Sequence, residues 1–235
     1  MTAQLPLTSL VEVAASTVIF VPVWAFIHYR VKRSGPFNLG KPFLQFLNGS
    51  EVVLAIYLLA SIILATPALS APLSSRSAIF ASISDRLQAD DGFISRYSYH
   101  LSKFYEYFDI FFFVADGGEV GLHFGFHHLT TPYLTYFRYL NGHYGWQLFA
   151  ALNAFHHSLM YAFFAGVQSV HGYLPYTRYI QLVAGVAWDA WLTMYMEDGD
   201  SQVSRAVSIF LLTCYLYLLT REIRMRRTAE KEKSQ

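Results

Sequence analysis

Gly121-Leu-His-Phe-Gly-Phe-His-His-Leu-Thr-Thr-Pro132 is the stretch on which the reading of this chain turns. It lies inside an apolar run, yet it carries His123, His127 and His128. On an α-helix His123 and His127, one turn apart, stack on one face, and His128 sits about 100° round from His127. Ionisable groups at bilayer depth are costly, so three of them predict a helix whose polar face looks into a protein interior. Pro132 removes a backbone hydrogen bond and predicts a kink.

Six more apolar segments surround this one, giving seven near 9–29, 50–71, 102–116, 120–140, 145–168, 176–196 and 202–221. A helix needs about 20 residues to cross the hydrocarbon core. The chain is 54% hydrophobic and only 14% charged, against about 25% charged in soluble domains. An integral membrane, all-α protein of seven transmembrane helices is therefore expected, as a single domain over 1–235. The loop 72–101 is the one insert long enough for luminal structure of its own. A net charge of +1 excludes the global basic field that binds nucleic acid. The lone Cys214 excludes an internal disulfide and reads as a small buried or lipid-facing residue.

Orientation follows from the loops. Arg30, Lys32, Arg33 and Lys41 follow the first span, and Arg221, Arg224, Arg226 and Arg227 follow the last. The 72–101 loop mixes Arg76, Asp85, Arg86, Asp90, Asp91 and Arg96, and the 197–201 loop is acidic. The positive-inside rule puts the 30–41 loop and the C-terminus in the cytosol. No basic n-region precedes the first apolar stretch, so it does not read as a cleavable signal peptide. In the tail 228–235, Lys231 and Lys233 stand fifth and third from the end, where a dilysine retrieval signal of the endoplasmic reticulum would have them.

Other spans carry polar residues too. Lys103, Glu106 and Asp109 recur every third position, which on one continuous helix forms a polar stripe. Asn153, His157 and Tyr161 recur every fourth, making a seam with Met160 beside it and His156 alongside. Gln181 has no apolar role at its depth. Rises of about 1.5 Å per residue put these groups near the middle of their spans, where they can meet.

These motifs resemble the membrane-bound very-long-chain fatty acid elongases. The matching stretches are Pro36-Phe37 through Asn48, Lys103-x-x-Glu106-x-x-Asp109, the histidine box ending His127-His128, Asn153-x-x-x-His157-x-x-Met160-Tyr161, and Gln181, in the family's order. Two departures stand out. The family box is His-x-x-His-His, and here Phe124 holds the first position with His123 before it; a one-residue helix bulge would restore His123. The loop between spans three and four reads Ala-Asp-Gly-Gly-Glu where the family has basic residues.

The resemblance implies spans two to seven bundled around an acyl tunnel, with the first span outside. It implies decarboxylative condensation of malonyl-CoA with acyl-CoA, without metal or cofactor. The implied catalytic residues are His127 as acyl acceptor, with His128, His157, His123 and Asp109. Lys103, Glu106, Asn153, Met160, Tyr161 and Gln181 would hold substrate. Implied partners are membrane lipid and the reductases and dehydratase of an elongation cycle; a homodimer stays open. The rival readings are a di-iron desaturase or hydroxylase, which shares the box His-x-x-x-His-His, a seven-span receptor, transporter or lipid-binding protein, and an inactive elongase. The desaturase class uses three histidine boxes, whereas His28, His100, His143 and His171 are scattered here.

Overall fold

The structure, a computed structural model, describes residues 5–75, 77–140, 145–195 and 199–233. Arg76, His143, Glu197 and Asp198 fall outside these residues, as do the side chains of Asp90, Asp91, Asp200, Arg226, Arg227, Lys231 and Lys233. Among the described residues every regular element is helical: α1 (Leu10–Ser34), α2 (Lys41–Ala65), α3 (Pro67–Ser74), α4 (Ala78–Tyr105), α5 (Tyr107–Ala115), α6 (Leu122–Thr135), α7 (Trp146–Phe164), α8 (Leu174–Tyr195) and α9 (Gly199–Lys233). A π-helical turn, Tyr136–Leu140, extends α6, and a 3-10 turn, Gln168–Tyr173, leads into α8.

The boundaries follow local chemistry. Ser9 and Glu12 form a reciprocal capping box at the start of α1, each side chain accepting from the other's backbone N–H. Pro42 occupies the first turn of α2, where its missing N–H costs nothing. Thr66 is extended because Pro67 follows it, which separates α2 from α3.

Six of the helices close into a ring. α2 packs on α4, α4 on α6, α6 on α9, α9 on α8, α8 on α7, and α7 back on α2. α1 lies outside, against α5 and α6, burying Val13 and Phe20. The outer surface is apolar: Val18, Phe46 and Met194 are each more than 70% exposed. The interior is polar in its middle. This is the reverse of a soluble bundle and is what a lipid solvent selects. Among the described residues, three helical stretches are by length and composition apolar enough to cross a membrane, Leu10–Ser34, Lys41–Ala65 and Gln202–Met225.

The 72–101 segment corrects the sequence reading. It is not a loop with a short span after it; α4 runs 28 residues from Ala78 and supplies one wall of the ring. Its charges hid it. Ser84, Ser95, Arg96, His100 and Lys103 are buried, while Ile79, Ile83 and Ile94 are exposed, so its amphipathicity is inverted and its mean hydropathy low. The expected continuous stripe is also interrupted, because the helix breaks at Glu106 between α4 and α5. The expected bulge is not in the histidine stretch. α6 stays α-helical through Pro132, and the π turn follows it.

Candidate active site

Two adjoining cavities occupy the ring. The first is lined by Glu51, Leu58, Lys103, Glu106, His157 and Tyr161 among others. The second is lined by His127, Thr131, Leu134, Phe149, Gln181 and Tyr215 among others. Tyr99, Lys103 and Asn153 line both and form the partition.

The partition is a continuous hydrogen-bonded network. Lys103 Nζ, buried, donates to Glu106 Oε1 at 2.5 Å and to Asn153 Oδ1 at 3.1 Å, and it lies 4.6 Å from the Tyr99 ring centre. The Tyr99 hydroxyl also donates to Asn153 Oδ1. An ammonium and a phenol both need an acceptor, so the network fixes which end of the Asn153 amide is oxygen. Asn153 Nδ2 then donates to Gln181 Oε1 at 2.8 Å. Gln181, whose oxygen accepts this bond, also lines the second cavity.

The histidines are set by the break at Glu106. With α4 ended there, the Glu106 carbonyl is exposed to α6, and His128 Nδ1 stands 2.8 Å from it. A carbonyl only accepts, so Nδ1 carries the proton and a neutral ring presents Nε2 as a lone pair. His157 Nδ1 lies 3.4 Å from Glu106 Oε1. His127 faces the second cavity, with ring centres 5.3 Å from His128 and 4.9 Å from Tyr215. The Tyr215 hydroxyl is itself paired with Thr130 at 2.8 Å.

The structure brings Lys103, Glu106, Asn153, His157 and Gln181 into one network, with His127 and His128 against it. Asp109, one of the implied catalytic residues, pairs with a tyrosine and not with a histidine. It accepts from the Tyr161 hydroxyl at 2.5 Å, and the histidine contacts belong to Glu106, because the helix break redirects α5. His123 shares a face with His127, at 6.0 Å between ring centres. Its Nε2 is buried without a partner and it lines neither cavity. Phe124, at the family's first histidine position, packs edge-on to His128 at 4.5 Å. Met160 is half-buried and also lines neither cavity.

Sequence reasoning missed Glu51, Tyr99 and Tyr215. Glu51 had a signal, a lone acid at the head of an apolar run in α2. The tyrosines had none, being two of 17 with their neighbours' chemistry hidden. Outside the site, His100 bonds Thr135 and the Leu7 carbonyl, and His156 bonds Thr177. Among the described residues no three His, Cys, Asp or Glu side chains converge in a metal-ligating arrangement.

No curated protein matches the chain. The sequence model described as ELO: GNS1/SUR4 family matches residues 5–221 of the 235. That span includes α1 to α8, α9 as far as Arg221, and the lining of both cavities. With this match, its apolar outer surface and its inward polar network, the chain belongs to the ELO (GNS1/SUR4) family of multi-pass membrane fatty acid elongases.

Proposed function

We propose that this protein condenses malonyl-CoA with a long-chain acyl-CoA, releasing carbon dioxide, free CoA and 3-ketoacyl-CoA. The observation that carries the reading is the position of His127. It opens onto the same cavity as the Lys103–Asn153–Gln181 network, inside a ring whose outside is apolar. A nucleophile thus sits beside oriented donors in a closed interior, which is the constellation acyl transfer needs.

The chemistry runs in two halves. In the first, a His127 ring nitrogen attacks the thioester carbonyl and the C–S bond breaks. The proton on the ring's other nitrogen leaves with the CoA thiolate, and the acyl group stays on the ring. In the second, malonyl-CoA loses carbon dioxide, and its enolate carbon attacks the acyl-imidazole. The C–N bond breaks, and the departing imidazolide takes up a proton. One proton is consumed per turnover. Gln181 N–H groups and the Lys103 ammonium stabilise negative oxygen in both halves. His157, turned by Glu106, stands on the other side of Lys103 for the malonyl group. The closed interior keeps water from the acyl-imidazole.

This reading carries the wider architecture with it. All seven spans cross the endoplasmic reticulum membrane, the α4–α5 pair serving as one span, with the C-terminus cytosolic and the acyl chain held within the ring. The loops' basic residues support that orientation. Reductases and a dehydratase acting on 3-ketoacyl-CoA are the expected partners.

The test is a condensation assay on purified full-length protein in detergent, with radiolabelled malonyl-CoA and a panel of acyl-CoAs. Labelled 3-ketoacyl-CoA is the expected product, absent from His127→Ala protein that keeps the wild-type unfolding temperature. Folded wild-type protein that yields none with any acyl-CoA overturns the reading.

A further inference from the structure

We infer that Phe149 is the floor of the acyl chamber and sets the longest acyl chain accepted, held there by a buried Arg138–Asp189–Ser208 brace. The inference rests on the elongase reading above and adds which side chain ends the chamber. The second cavity is polar around Lys103, His127 and Gln181, and its aliphatic and phenyl lining is Leu134, Phe149 and Leu182. Leu134 lies seven residues past His127 on α6, about 10 Å along the axis. Phe149 lies four residues before Asn153 on α7, about 6 Å along. The end of α6 and the start of α7 are neighbours in the chain, so both displacements run toward the same end of the ring. Leu134 and Phe149 therefore line the cavity toward the end away from His127 and Asn153, with Thr135 beside them.

Phe149 is fixed from two sides. Behind it on α8 is Gly185, where an added Cβ would stand 2.6 Å from Phe149 Cδ2. Such a distance is a clash, so the missing side chain is what lets the ring lie back. The Arg138 guanidinium covers the ring at 5.1 Å from its centre. Arg138 Nη1 donates to Asp189 Oδ2 and, at 2.6 Å, to Ser208 Oγ; Ser208 Oγ donates to Asp189 Oδ2 at 2.6 Å. All three residues are fully buried, and none lines the cavity. A buried ion pair contributes little stability over apolar packing. What this one does is tie the π turn, α8 and α9 together behind one ring. The floor then yields less than a loose phenyl would, and a chain one cycle too long has nowhere to go. One methylene in a closed apolar pocket changes preference by roughly 10- to 200-fold.

The test reads the chain-length profile of condensation by the purified full-length protein, using saturated acyl-CoAs and malonyl-CoA. Phe149→Ala is expected to move the preferred acyl chain up by at least one two-carbon cycle. Gly185→Ala, whose methyl drives the ring into the chamber, is expected to move it down. Phe149→Leu, which keeps an apolar core residue, gives a smaller upward shift and serves if Phe149→Ala does not fold. Profiles that stay at the wild-type optimum in folded Phe149 and Gly185 variants overturn the floor while leaving the elongase reading intact. Wild-type protein without condensation with any acyl-CoA overturns that reading, and the floor with it.

Discussion

Two buried polar networks share the interior of this ring, and they are built differently. The middle one, Lys103–Glu106–Asn153–Gln181, borders both cavities. The end one, Arg138–Asp189–Ser208, lines neither of them and is backed onto Phe149. Both place charges where a membrane protein can least tolerate them. The difference teaches that burial of charge does not by itself identify a site. Space beside the charge does.

Substitution can break this comparison. The largest expected effect is at the end network. Arg138→Met removes the buried Arg138–Asp189 ion pair and should lower stability by about 3–5 kcal/mol, read as a fall in unfolding temperature. Adding Asp189→Leu to Arg138→Met should recover most of the loss, since apolar packing replaces an ion pair at little cost. At the middle network the expected loss is in rate. Lys103→Met should cut kcat by roughly 10²–10³, as loss of one oriented donor to developing charge does, about 2.7–4 kcal/mol. A Lys103→Met protein that turns over normally would make the middle network structural as well.

Two smaller changes sharpen the boundary of the site. Tyr161→Phe removes the hydrogen bond to the Asp109 carboxylate and should cost about 1.5–3 kcal/mol of stability. Met160→Leu touches neither cavity. It should leave condensation unchanged and alter stability by under about 1.5 kcal/mol; a rate loss there would return Met160 to the substrate wall.

Much of this was legible in the sequence, and the failures have physical causes. The histidine stretch stands out in the sequence because three rings in an apolar run admit few explanations, and Asn153, His157 and Gln181 stand out by the same cost of burial; the structure buries His128 and sets His127 on a cavity, while His123 lines neither. α4 escaped because its buried face is the charged one, so hydropathy reports a loop. The Lys103–Glu106–Asp109 spacing was visible, but the break at Glu106 was not. That break turns a backbone carbonyl toward His128 and hands Asp109 to Tyr161. Spacing cannot show where a helix stops when no Pro or Gly marks the place. Phe149 gave no signal at all, since a phenylalanine that ends a chamber looks like one that fills a core. Arg138 and Asp189 lie inside apolar stretches 51 positions apart, and only the fold, which sets the π turn beside α8, makes them a pair.

The most direct test of the central claim is a half-reaction without malonyl-CoA. Wild-type protein incubated with acyl-CoA alone should release one CoA per active chain and gain the mass of one acyl group. His127→Ala protein should do neither while keeping its unfolding temperature. An acyl adduct that persists in His127→Ala, or condensation in wild-type protein with no prior release of CoA, would contradict the assignment of His127 as the acyl carrier.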